Sequence, residues 1–218
     1  MITLFGNLLS GNVHKVQMIL RRRGIPFRRV DISQMRGEPR RPEFLKVNPI
    51  GKVPAVLLAD GDILSESGAM LFYFAPGTGL WPEDLRSQAE VLRWMFFEQY
   101  SHEPTLAVLR YLKRYAEDPQ LYADQIRVLE PKGLHALRVM ETRLASTDWI
   151  AGGKHCTIAD YALYPYTRTA KESGFDLGDF PALDPWLKRV EAQPGFISVL
   201  VDGAEETLSF ADYFCANV

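Results

Sequence analysis

The pattern of apolar residues along this chain changes once, and that change limits the folds that are available to it. Short apolar strands alternate with helical stretches over roughly the first third of the 218 residues, whereas only helical periodicity follows. The segment "PGTGLWPEDL" between the two parts holds two glycines and two prolines, a composition typical of a linker. We therefore predict an α/β domain over residues 1–76, a linker over 77–86 and an all-α domain over 87–218.

The first part begins with a strand, a helix and a strand and ends with a hairpin and a helix. The strand "ITLF" precedes a helix over Asn12–Arg23, on which Val13, Val16, Ile19 and Leu20 fall on one face. The later elements are a strand in "PFRRVDI", a helical turn in "RPEFLKVNP", a hairpin around "ADGD" and a helix in "SGAMLFYFA". This βαβ-α-ββα order predicts a four-stranded mixed sheet covered by helices.

Helical periodicity fills the second part. Ser87–Glu117 forms one long segment, with a kink predicted near Pro104, and Leu121–Ser146 forms another. Shorter helices are predicted over residues 160–171, 183–192 and 196–201. The run "TIAD", Thr157–Asp160, has the pattern of a capping box with Asp in place of Glu. These segments predict a helical bundle.

Composition and charge favour a protein of the cytoplasm. The sequence has two cysteines, Cys156 and Cys215, at no spacing typical of a disulfide or a metal site. No apolar run approaches the roughly 18 residues that span a membrane. The first 80 residues carry 11 Lys and Arg against 6 Asp and Glu, and the remainder carries 14 against 21. We expect the arginines to be solvated and no nucleic-acid partner, although the positive field favours a small anionic ligand.

Two dipeptides at the ends of the hairpin strands indicate ligand binding. Val53-Pro54 comes directly before a strand, where a cis peptide bond would expose the backbone N–H and C=O of Val53. Glu66-Ser67 lies between a strand and a helix, so that the hydroxyl and the helix N-terminus favour a carboxylate while Glu66 favours an ammonium group. Together they predict a peptide-sized pocket. The alternative is that Ser65 or Ser67 only caps the helix.

The same residues belong to a longer pattern that resembles a known family. The segments "NPIGKVPAV" and "DGDILSESGAMLFYFA" are similar to the thioredoxin-like N-terminal domain of cytosolic glutathione transferases. The segment "HCTIADYALYPYT" resembles the helix-capping motif of their all-α domain, where it is a folding element. The resemblance covers essentially the whole sequence. It implies a thioredoxin-like domain followed by a helical bundle, glutathione as co-substrate and a homodimer.

The resemblance also implies a role for each residue of the predicted pocket. Pro54 would be the cis-proline, and Val53 would pair its backbone with the cysteinyl unit of glutathione. Glu66-Ser67 would hold the γ-glutamyl end. Lys52 and Arg40, the latter from the loop "RGEPRR", would lie near the glycyl carboxylate. Glutathione carries two carboxylates and one ammonium group, and these residue types fit it.

The turn "LLSGNVHK" after the first strand holds a hydroxyl and an amide where a thiol would serve redox chemistry. A donor at Ser10 and the helix N-terminus at Asn12 would both favour the thiolate of glutathione, whose ordinary thiol pKa is about 8.5. Tyrosine-type classes need a hydroxyl where Phe5 stands, and thiol classes need a cysteine. That leaves a serine-type site or the arrangement of the bacterial Nu class, whose members are mainly glutathione-dependent disulfide-bond reductases. The Nu class has Thr-x-Asn before His-Lys, and the run Ser10-x-Asn12-x-His14-Lys15 resembles it with serine in place of threonine. Ser10 and Asn12 are the predicted catalytic residues, or Ser10 is only an N-cap; His14 and Lys15 are expected on the surface.

The acceptor site for the second substrate is predicted on the first long helix of the second domain. The segment "LRWMFFEQYSHEP" places Trp94, Phe97 and Tyr100 at roughly helical spacing, and His102 follows. By the resemblance this helix borders the acceptor site and the dimer interface, which makes these four residues candidates. The alternative is that the aromatic stripe is part of the core. His102-Glu103 has no second histidine at zinc spacing, so no metal site is predicted.

The sequence therefore predicts a glutathione transferase and leaves two reactions open, conjugation of glutathione to an electrophile and glutathione-dependent disulfide reduction. Its partners would be a small electrophile or disulfide and a second copy of the protein, with no membrane. The alternative is a catalytically inactive, transferase-like binding or regulatory protein. The lack of Cys-x-x-Cys argues against an oxidoreductase that uses its own thiols.

Overall fold

The computed structural model describes residues 1–215, which form two compact units. One unit comprises Met1–Thr78 together with the segment that follows Gln193, and the other spans Gly79–Gln193. The first boundary lies within the predicted linker. The structure departs from the predicted helical domain 87–218, because the backbone returns to the first unit after Gln193.

In the described part of the protein, five strands form one mixed sheet in the order β4-β3-β1-β2-β5. The strands are β1 (Ile2–Phe5), β2 (Phe27–Val30), β3 (Ala55–Leu57), β4 (Ile63–Ser65) and β5 (Glu206–Leu208). β1 pairs parallel with β2 and antiparallel with β3, and β3 with β4 forms the predicted hairpin. The mixed sheet is confirmed, but its four-strand count is wrong. β5 pairs parallel with β2 as a fifth strand. It has only three residues and lies far from β2 in the sequence, so no sequence pattern indicates the pairing.

Three helices of the first unit lie within Met1–Thr78: α1 (Gly11–Arg22), α2 (Pro42–Val47) and α3 (Ser67–Phe74). The apolar face predicted for α1 is confirmed, since Val13, Val16, Ile19 and Leu20 have no exposed surface. Burying each of these side chains stabilises the unit by roughly 1.5–3 kcal/mol. This face fixes α1, and therefore the turn before it, against the sheet domain.

The second unit is helical within its described residues. Its helices are α4 (Leu85–Phe97), α5 (Glu103–Arg114), α6 (Ala123–Leu144), α7 (Ile158–Arg168) and α8 (Leu183–Glu191). The predicted kink is confirmed, because a π-helical turn, Glu98–His102, joins α4 to α5. Pro104 lies in the first turn of α5, where its missing N–H disturbs the regular hydrogen-bond ladder least.

Asp160 fixes the start of α7. Its carboxylate accepts hydrogen bonds from the backbone N–H of Thr157 at 2.8 Å and from the Thr157 hydroxyl at 3.0 Å. It also accepts from the backbone N–H of Ile150 at 2.9 Å and from the indole N–H of Trp186 at 2.8 Å. Burial raises the pKa of Asp160, and these four bonds oppose that rise. The predicted capping role of "TIAD" is confirmed, and the same carboxylate ties α7 to α8.

Residues 194–215, here called the C-terminal tail, carry β5 and a short helix, α9 (Phe210–Phe214). The helix predicted over residues 196–201 is wrong, because this stretch is irregular with a turn at 199–200 and leads toward β5. In α9 the ring of Tyr213 meets the buried Phe5 of β1 edge-on, with centroids 5.2 Å apart. The tail is therefore an integral part of the first unit.

Polar contacts hold the tail at its other end. The ring of His14 donates from Nε2 to the C=O of Ile197 at 2.9 Å. The guanidinium of Arg29, on β2, pairs with the carboxylate of Asp202 at 2.8 Å. The Arg29 side chain is 5% exposed, and it also pairs with the carboxylate of Asp31 at 2.8 Å, so two carboxylates compensate its buried charge.

Candidate active site

Strand register brings the three predicted binding segments to one edge of the sheet. Phe5, the last residue of β1, pairs with Ala55, the first of β3, and Ala55 pairs with Ser65, the last of β4. The turn after β1, Val53-Pro54 before β3 and Glu66-Ser67 after β4 therefore leave the sheet side by side. Neighbouring strands lie about 4.8 Å apart, so the three segments span the width of a small extended peptide.

Ser10 is the N-cap of α1 at this edge. Its backbone is extended, and its Oγ accepts a hydrogen bond from the N–H of Val13 at 3.4 Å. That bond uses a lone pair of the oxygen and leaves the hydroxyl hydrogen to be donated elsewhere. Ser10 is 8% exposed, so a group that receives this hydrogen would be largely shielded from water. Capping and sulfur binding are compatible at this position.

Asn12 lies in the first turn of α1 and contacts the segment that follows β4 at the same sheet edge. The hydroxyl of Ser67, the first residue of α3, donates to Asn12 Oδ1 at 3.5 Å, which is near the limit of a hydrogen bond. Ser67 is buried and Asn12 is half-buried. The residues predicted for the sulfur and for the γ-glutamyl end are thus in direct contact.

The peptide bond between Val53 and Pro54 is cis, as the resemblance implied. The β1–α1 turn approaches it closely at Gly6, whose φ of 150° is rare for residues with a side chain. A Cβ placed on Gly6 would lie 2.3 Å from Val13 Cγ2 and 3.4 Å from Val53 Cβ. Only glycine allows the turn and the cis-proline loop to lie against each other in this way.

Glu66 has a strained backbone. Its φ of 65° and ψ of 113° are rare outside glycine and cost about 1–3 kcal/mol. It occupies the N-cap position of α3, where its exposed side chain makes no hydrogen bond to the helix. The capping alternative for Ser65 and Ser67 is therefore wrong, because neither of them occupies the N-cap position. The carboxylate and the first turn of α3 are both presented at the sheet edge.

Arg40 and Lys52 lie in loops that contact each other. The guanidinium of Arg40 donates to the C=O of Ile50 at 3.3 Å, and the amide of Asn48 donates to the C=O of Lys52 at 2.8 Å. Both basic side chains are exposed. Two cations are thus available beside the cis-proline loop, and their role toward a carboxylate stays a prediction.

Comparison with known proteins agrees with this geometry. Residues 9–75 match the glutathione S-transferase N-terminal domain family, and residues 100–194 match the C-terminal domain family. The disulfide-bond oxidoreductase YfcG of Escherichia coli (strain K12) is 31% identical over 190 residues, which cover 84% of this chain and 87% of YfcG. The chain belongs to the glutathione S-transferase family.

Solved structures of other members share the fold of this transferase. The glutathione S-transferase from Pseudomonas fluorescens Pf-5 has a TM-score of 0.88 and 38% identity, covering 92% of this protein and 99% of that one. Ure2p in complex with glutathione has a TM-score of 0.80 and 25% identity, covering 91% of this protein and 92% of that one. The predicted thioredoxin-like domain followed by a helical domain is confirmed.

The described residues, 1–215, contain neither a membrane-spanning helix nor a metal cluster. No helix there has both the length and the apolar character to cross a membrane. Within the same residues, no group of three or more His, Cys, Asp or Glu side chains is arranged to hold a metal ion.

His14 and Lys15 of the transferase are buried, and their prediction as surface residues is wrong. Each is 1% exposed. His14 lies beneath the C-terminal tail, where its ring bonds to the C=O of Ile197. Removal from water lowers the pKa of His14 to about 4, while hydrogen bonds to the backbone of Ile197 and Ser198 oppose the shift. A position in the first turn of a helix suggests exposure, but it does not indicate whether a segment far away in the sequence covers the side chain.

The residues predicted for the acceptor pocket of the transferase differ in exposure. His102 has no exposed surface, and its Nε2 bonds with the Thr167 hydroxyl at 2.9 Å, since the π-helical turn directs it at α7. Trp94 is 6% exposed and packs edge-on against Phe97, with ring centroids 5.2 Å apart. Trp94 therefore agrees with the core alternative, and His102 is buried in the helical unit as well. Phe97 is half-buried and Tyr100 is 88% exposed, so both stay accessible to a ligand.

Two asparagines that support this site escape the sequence analysis. Asn7 lies in the turn before Ser10, and Asn48 lies in the loop before the cis-proline. Each is buried and folds its loop through several hydrogen bonds. A loop asparagine is common, and the only sequence signal here, Asn48-Pro49, indicates no more than a helix end.

Proposed function

We propose that this transferase binds glutathione along the edge formed by the ends of β1, β3 and β4 and uses the glutathione sulfur as the reacting atom. The observation that carries the proposal is the convergence of Ser10, cis Val53-Pro54 and Glu66-Ser67 at that edge. An extended tripeptide needs a backbone partner, a site for its charged end and a donor for its sulfur, and these segments offer one of each. Ure2p, which has a similar structure, was solved in complex with glutathione.

The charges of glutathione match the side chains along the edge. The backbone of Val53 would pair with the cysteinyl unit, because Val53 precedes β3 and the ladder pairs of that strand begin only at Ala55. The exposed carboxylate of Glu66 would receive the ammonium group, and Ser67 with the N-terminus of α3 would receive the α-carboxylate. Lys52 and Arg40 would balance the glycyl carboxylate.

The sulfur would lie at the N-terminus of α1. Ser10 would donate its hydroxyl hydrogen to the sulfur, and the partial positive charge of the helix end would favour the thiolate further. Both effects lower the thiol pKa below its ordinary value of about 8.5, which makes more of the bound glutathione nucleophilic near neutral pH. Asn12 supports the same site from the first helical turn.

Of the two reactions, we favour disulfide reduction, because YfcG is a disulfide-bond oxidoreductase. The glutathione thiolate attacks one sulfur of the substrate disulfide, forms a mixed disulfide and releases the other sulfur as a thiolate. A second glutathione thiolate attacks the mixed disulfide and yields oxidised glutathione and the second substrate thiolate, which solvent protonates. Glutathione supplies both electrons, so the turn needs no cysteine of its own. With an electrophile, the same thiolate would displace a leaving group instead.

The test is a side-by-side assay of glutathione with a small hydroxyalkyl disulfide and with an aryl halide. Ser10→Ala should lower kcat by about 10²-fold, because it removes a donor that acts on the sulfur in the transition state. Ser10→Thr is the matched control, since it keeps both the hydroxyl and the helix cap and should keep most of the activity. Unchanged kinetics in Ser10→Ala would show that Ser10 takes no part in the reaction. A larger loss of kcat in Asn12→Ala than in Ser10→Ala would indicate that Asn12 is the main donor to the sulfur.

The same assay separates the enzyme from the alternative of an inactive binding or regulatory protein. Calorimetry measures glutathione binding independently of turnover. Binding without turnover of either substrate would support the binding or regulatory protein. Turnover of the disulfide well above that of the aryl halide would support the reductase.

We also propose that the protein is a homodimer of the cytoplasm with a role in detoxification. Phe72 on α3 is 51% exposed and Phe96 on α4 is 68% exposed, and large exposed aromatic side chains are typical of contact surfaces. Neither Cys156 nor Cys215 forms a disulfide within the described residues, which fits a reducing compartment. Light scattering on wild type and on Phe72→Glu tests the dimer, and a monomeric wild type would exclude it.

A further inference from the structure

The turn between β1 and α1, residues 6–10, determines where the Ser10 hydroxyl lies. The apolar face of α1 fixes the end of this turn at Ser10, but the side chains in the middle of the turn add little packing, because Leu9 is 38% exposed and Leu8 is only half-buried. The polar contacts of the turn instead converge on Asn7, which is 8% exposed.

Asn7 uses every hydrogen-bonding group of its side chain. Its Oδ1 accepts from the N–H of Leu9 at 3.0 Å, and its backbone carbonyl oxygen accepts from the N–H of Ser10 at 3.2 Å. Its amide donates to the C=O of Ile32 at 2.9 Å and to the side-chain oxygen of Gln34. The first two bonds fold the turn, and the other two fasten it to the segment that leaves β2 at the same edge.

Loss of the Asn7 side chain would therefore loosen the middle of the turn, while Gly6 stays bonded to β2 through the C=O of Val30 and the guanidinium of Arg29, each at 2.9 Å. The N–H of Leu9 and the C=O of Ile32 would lose this partner, and a partly buried group that loses a partner favours a rearranged loop. A displacement of about 1 Å is enough to weaken a hydrogen bond to a reacting atom severely. The position of the Ser10 hydroxyl thus depends on a residue that itself does not reach the ligand.

A second asparagine makes the same arrangement in the loop before the cis-proline. Asn48 accepts from the N–H of Ile50 on Oδ1 at 3.2 Å and from the N–H of Gly51 on its backbone carbonyl oxygen at 2.9 Å. Its amide donates to the C=O of Lys52 at 2.8 Å. Asn48 thus holds the loop that leads to the tripeptide-binding residues, whereas Asn7 holds the turn that carries the sulfur donor. The pair offers a matched comparison.

We propose that Asn7 is a positioning residue for the transferase reaction, which holds the Ser10 hydroxyl at the sulfur of bound glutathione by fastening the β1–α1 turn to the end of β2. The proposal rests on the proposed function. The proposed role predicts separate effects on the thiol pKa of bound glutathione and on its affinity, two properties that loss of a merely structural residue would change together. Loss of Asn7 raises the thiol pKa of bound glutathione and spares its affinity, and loss of Asn48 weakens affinity and spares the thiol pKa.

The thiol pKa of bound glutathione is measured from the ultraviolet absorbance of the thiolate as the complex is titrated, and the Kd from calorimetry. Asn7→Ala should raise that pKa by about one unit and lower kcat/KM by about tenfold, with the Kd within about twofold of wild type. Asn48→Ala should raise the Kd by about tenfold and leave the thiol pKa in place. The double variant of Asn7→Ala with Ser10→Ala should show the thiol pKa of Ser10→Ala alone, since both changes remove one donor.

A wild-type thiol pKa in Asn7→Ala, or effects of Asn7→Ala and Ser10→Ala that add in the double variant, overturns the positioning role. Should Asn7→Ala not fold, Gln34→Ala takes its place, because Gln34 is exposed and its loss removes one anchor of the Asn7 amide without a change of charge. Gln34→Ala should raise the thiol pKa of bound glutathione by a fraction of a unit. An unchanged thiol pKa in this variant would overturn the proposal.

The two proposals fail in different ways. A wild type that binds no glutathione, or a Ser10→Ala variant with the wild-type thiol pKa, overturns the proposed function and the positioning role with it. An altered thiol pKa in Ser10→Ala beside an unaltered one in Asn7→Ala overturns the positioning role of Asn7 alone.

Discussion

Acid should weaken the first unit through one histidine. His14 is buried in α1 beneath the C-terminal tail and donates from Nε2 to the C=O of Ile197 at 2.9 Å. A carbonyl oxygen only accepts, so the neutral ring carries its proton on Nε2. A second proton would place a charge where water does not reach it, and burial accordingly lowers the pKa of His14 from 6.5 to about 4.

The size of the effect follows from these two pKa values. Between them, the unfolded protein binds one more proton at this site than the native protein does. The free energy of unfolding therefore rises with pH by about 1.4 kcal/mol per unit across that window. The contribution of His14 is complete above the unfolded pKa and is lost as the pH falls toward the folded pKa. From about pH 7 to about pH 5 the loss is about 2 kcal/mol.

Hydrogen exchange of the α1 backbone, corrected for the chemical exchange rate at each pH, measures this loss directly. Fluorescence reports on the other unit in the same samples, because every tryptophan of the protein lies within Gly79–Gln193: Trp81, Trp94, Trp149 and Trp186. In wild type, the opening free energy of α1 should fall by about 2 kcal/mol over this interval as a result of His14.

His14→Gln isolates the contribution of the histidine. A glutamine retains an N–H donor near the position of Nε2 and does not titrate, so its α1 should lose about 2 kcal/mol less than wild type between about pH 7 and about pH 5. His135→Gln changes a partly exposed histidine of α6 and should follow wild type. Equal pH dependence of α1 in wild type and His14→Gln would refute the reasoning.

Three further substitutions test the packing around the site and the tail. Gly6→Ala should destabilise the first unit by about 2 kcal/mol and weaken glutathione binding, because the new Cβ meets Val13 Cγ2 at 2.3 Å; wild-type exchange of α1 would contradict this. Asp160→Ala leaves four donors without their acceptor and should lower the free energy of unfolding by about 3 kcal/mol, measured by tryptophan fluorescence in urea; a loss under about 1 kcal/mol would exclude an anchoring role. Asp202→Asn removes one of the two carboxylate charges that pair with buried Arg29, the other being Asp31, and should speed hydrogen exchange in β5 about tenfold. Unchanged exchange would show that the tail is held by other contacts.

Local pattern is enough to predict most elements of this fold. The apolar face of α1, the Asp-Gly hairpin and the capping box at Asp160 all depend on residues a few positions apart, and the structure confirms them. Their order along the sequence then constrains the sheet, since a βαβ unit places β2 parallel to β1 and a hairpin places β4 antiparallel to β3. The strand that this logic misses is β5, whose partner β2 is far away in the sequence.

The candidate site, like the fold, is predictable from the sequence where strand order fixes the position of its residues. Val53-Pro54 and Glu66-Ser67 stand at strand ends, so the strand order alone brings them to one edge beside Ser10. His102 does not follow this logic. A residue on a helix has no strand register to fix its surroundings, and the π-helical turn directs it into the core of the helical unit.

The sequence by itself therefore determines most elements up to α8, their order and the meeting of the proposed glutathione-binding segments at one sheet edge. Only the tertiary structure decides that the C-terminal tail adds β5, that His14 is buried beneath it, and that Asn7 fastens the Ser10 turn to β2. The physical reason is separation in sequence. The partner of His14 lies 183 residues away and that of Asn7 lies 25 residues away, and no local pattern encodes a hydrogen bond or a loss of solvent at that distance.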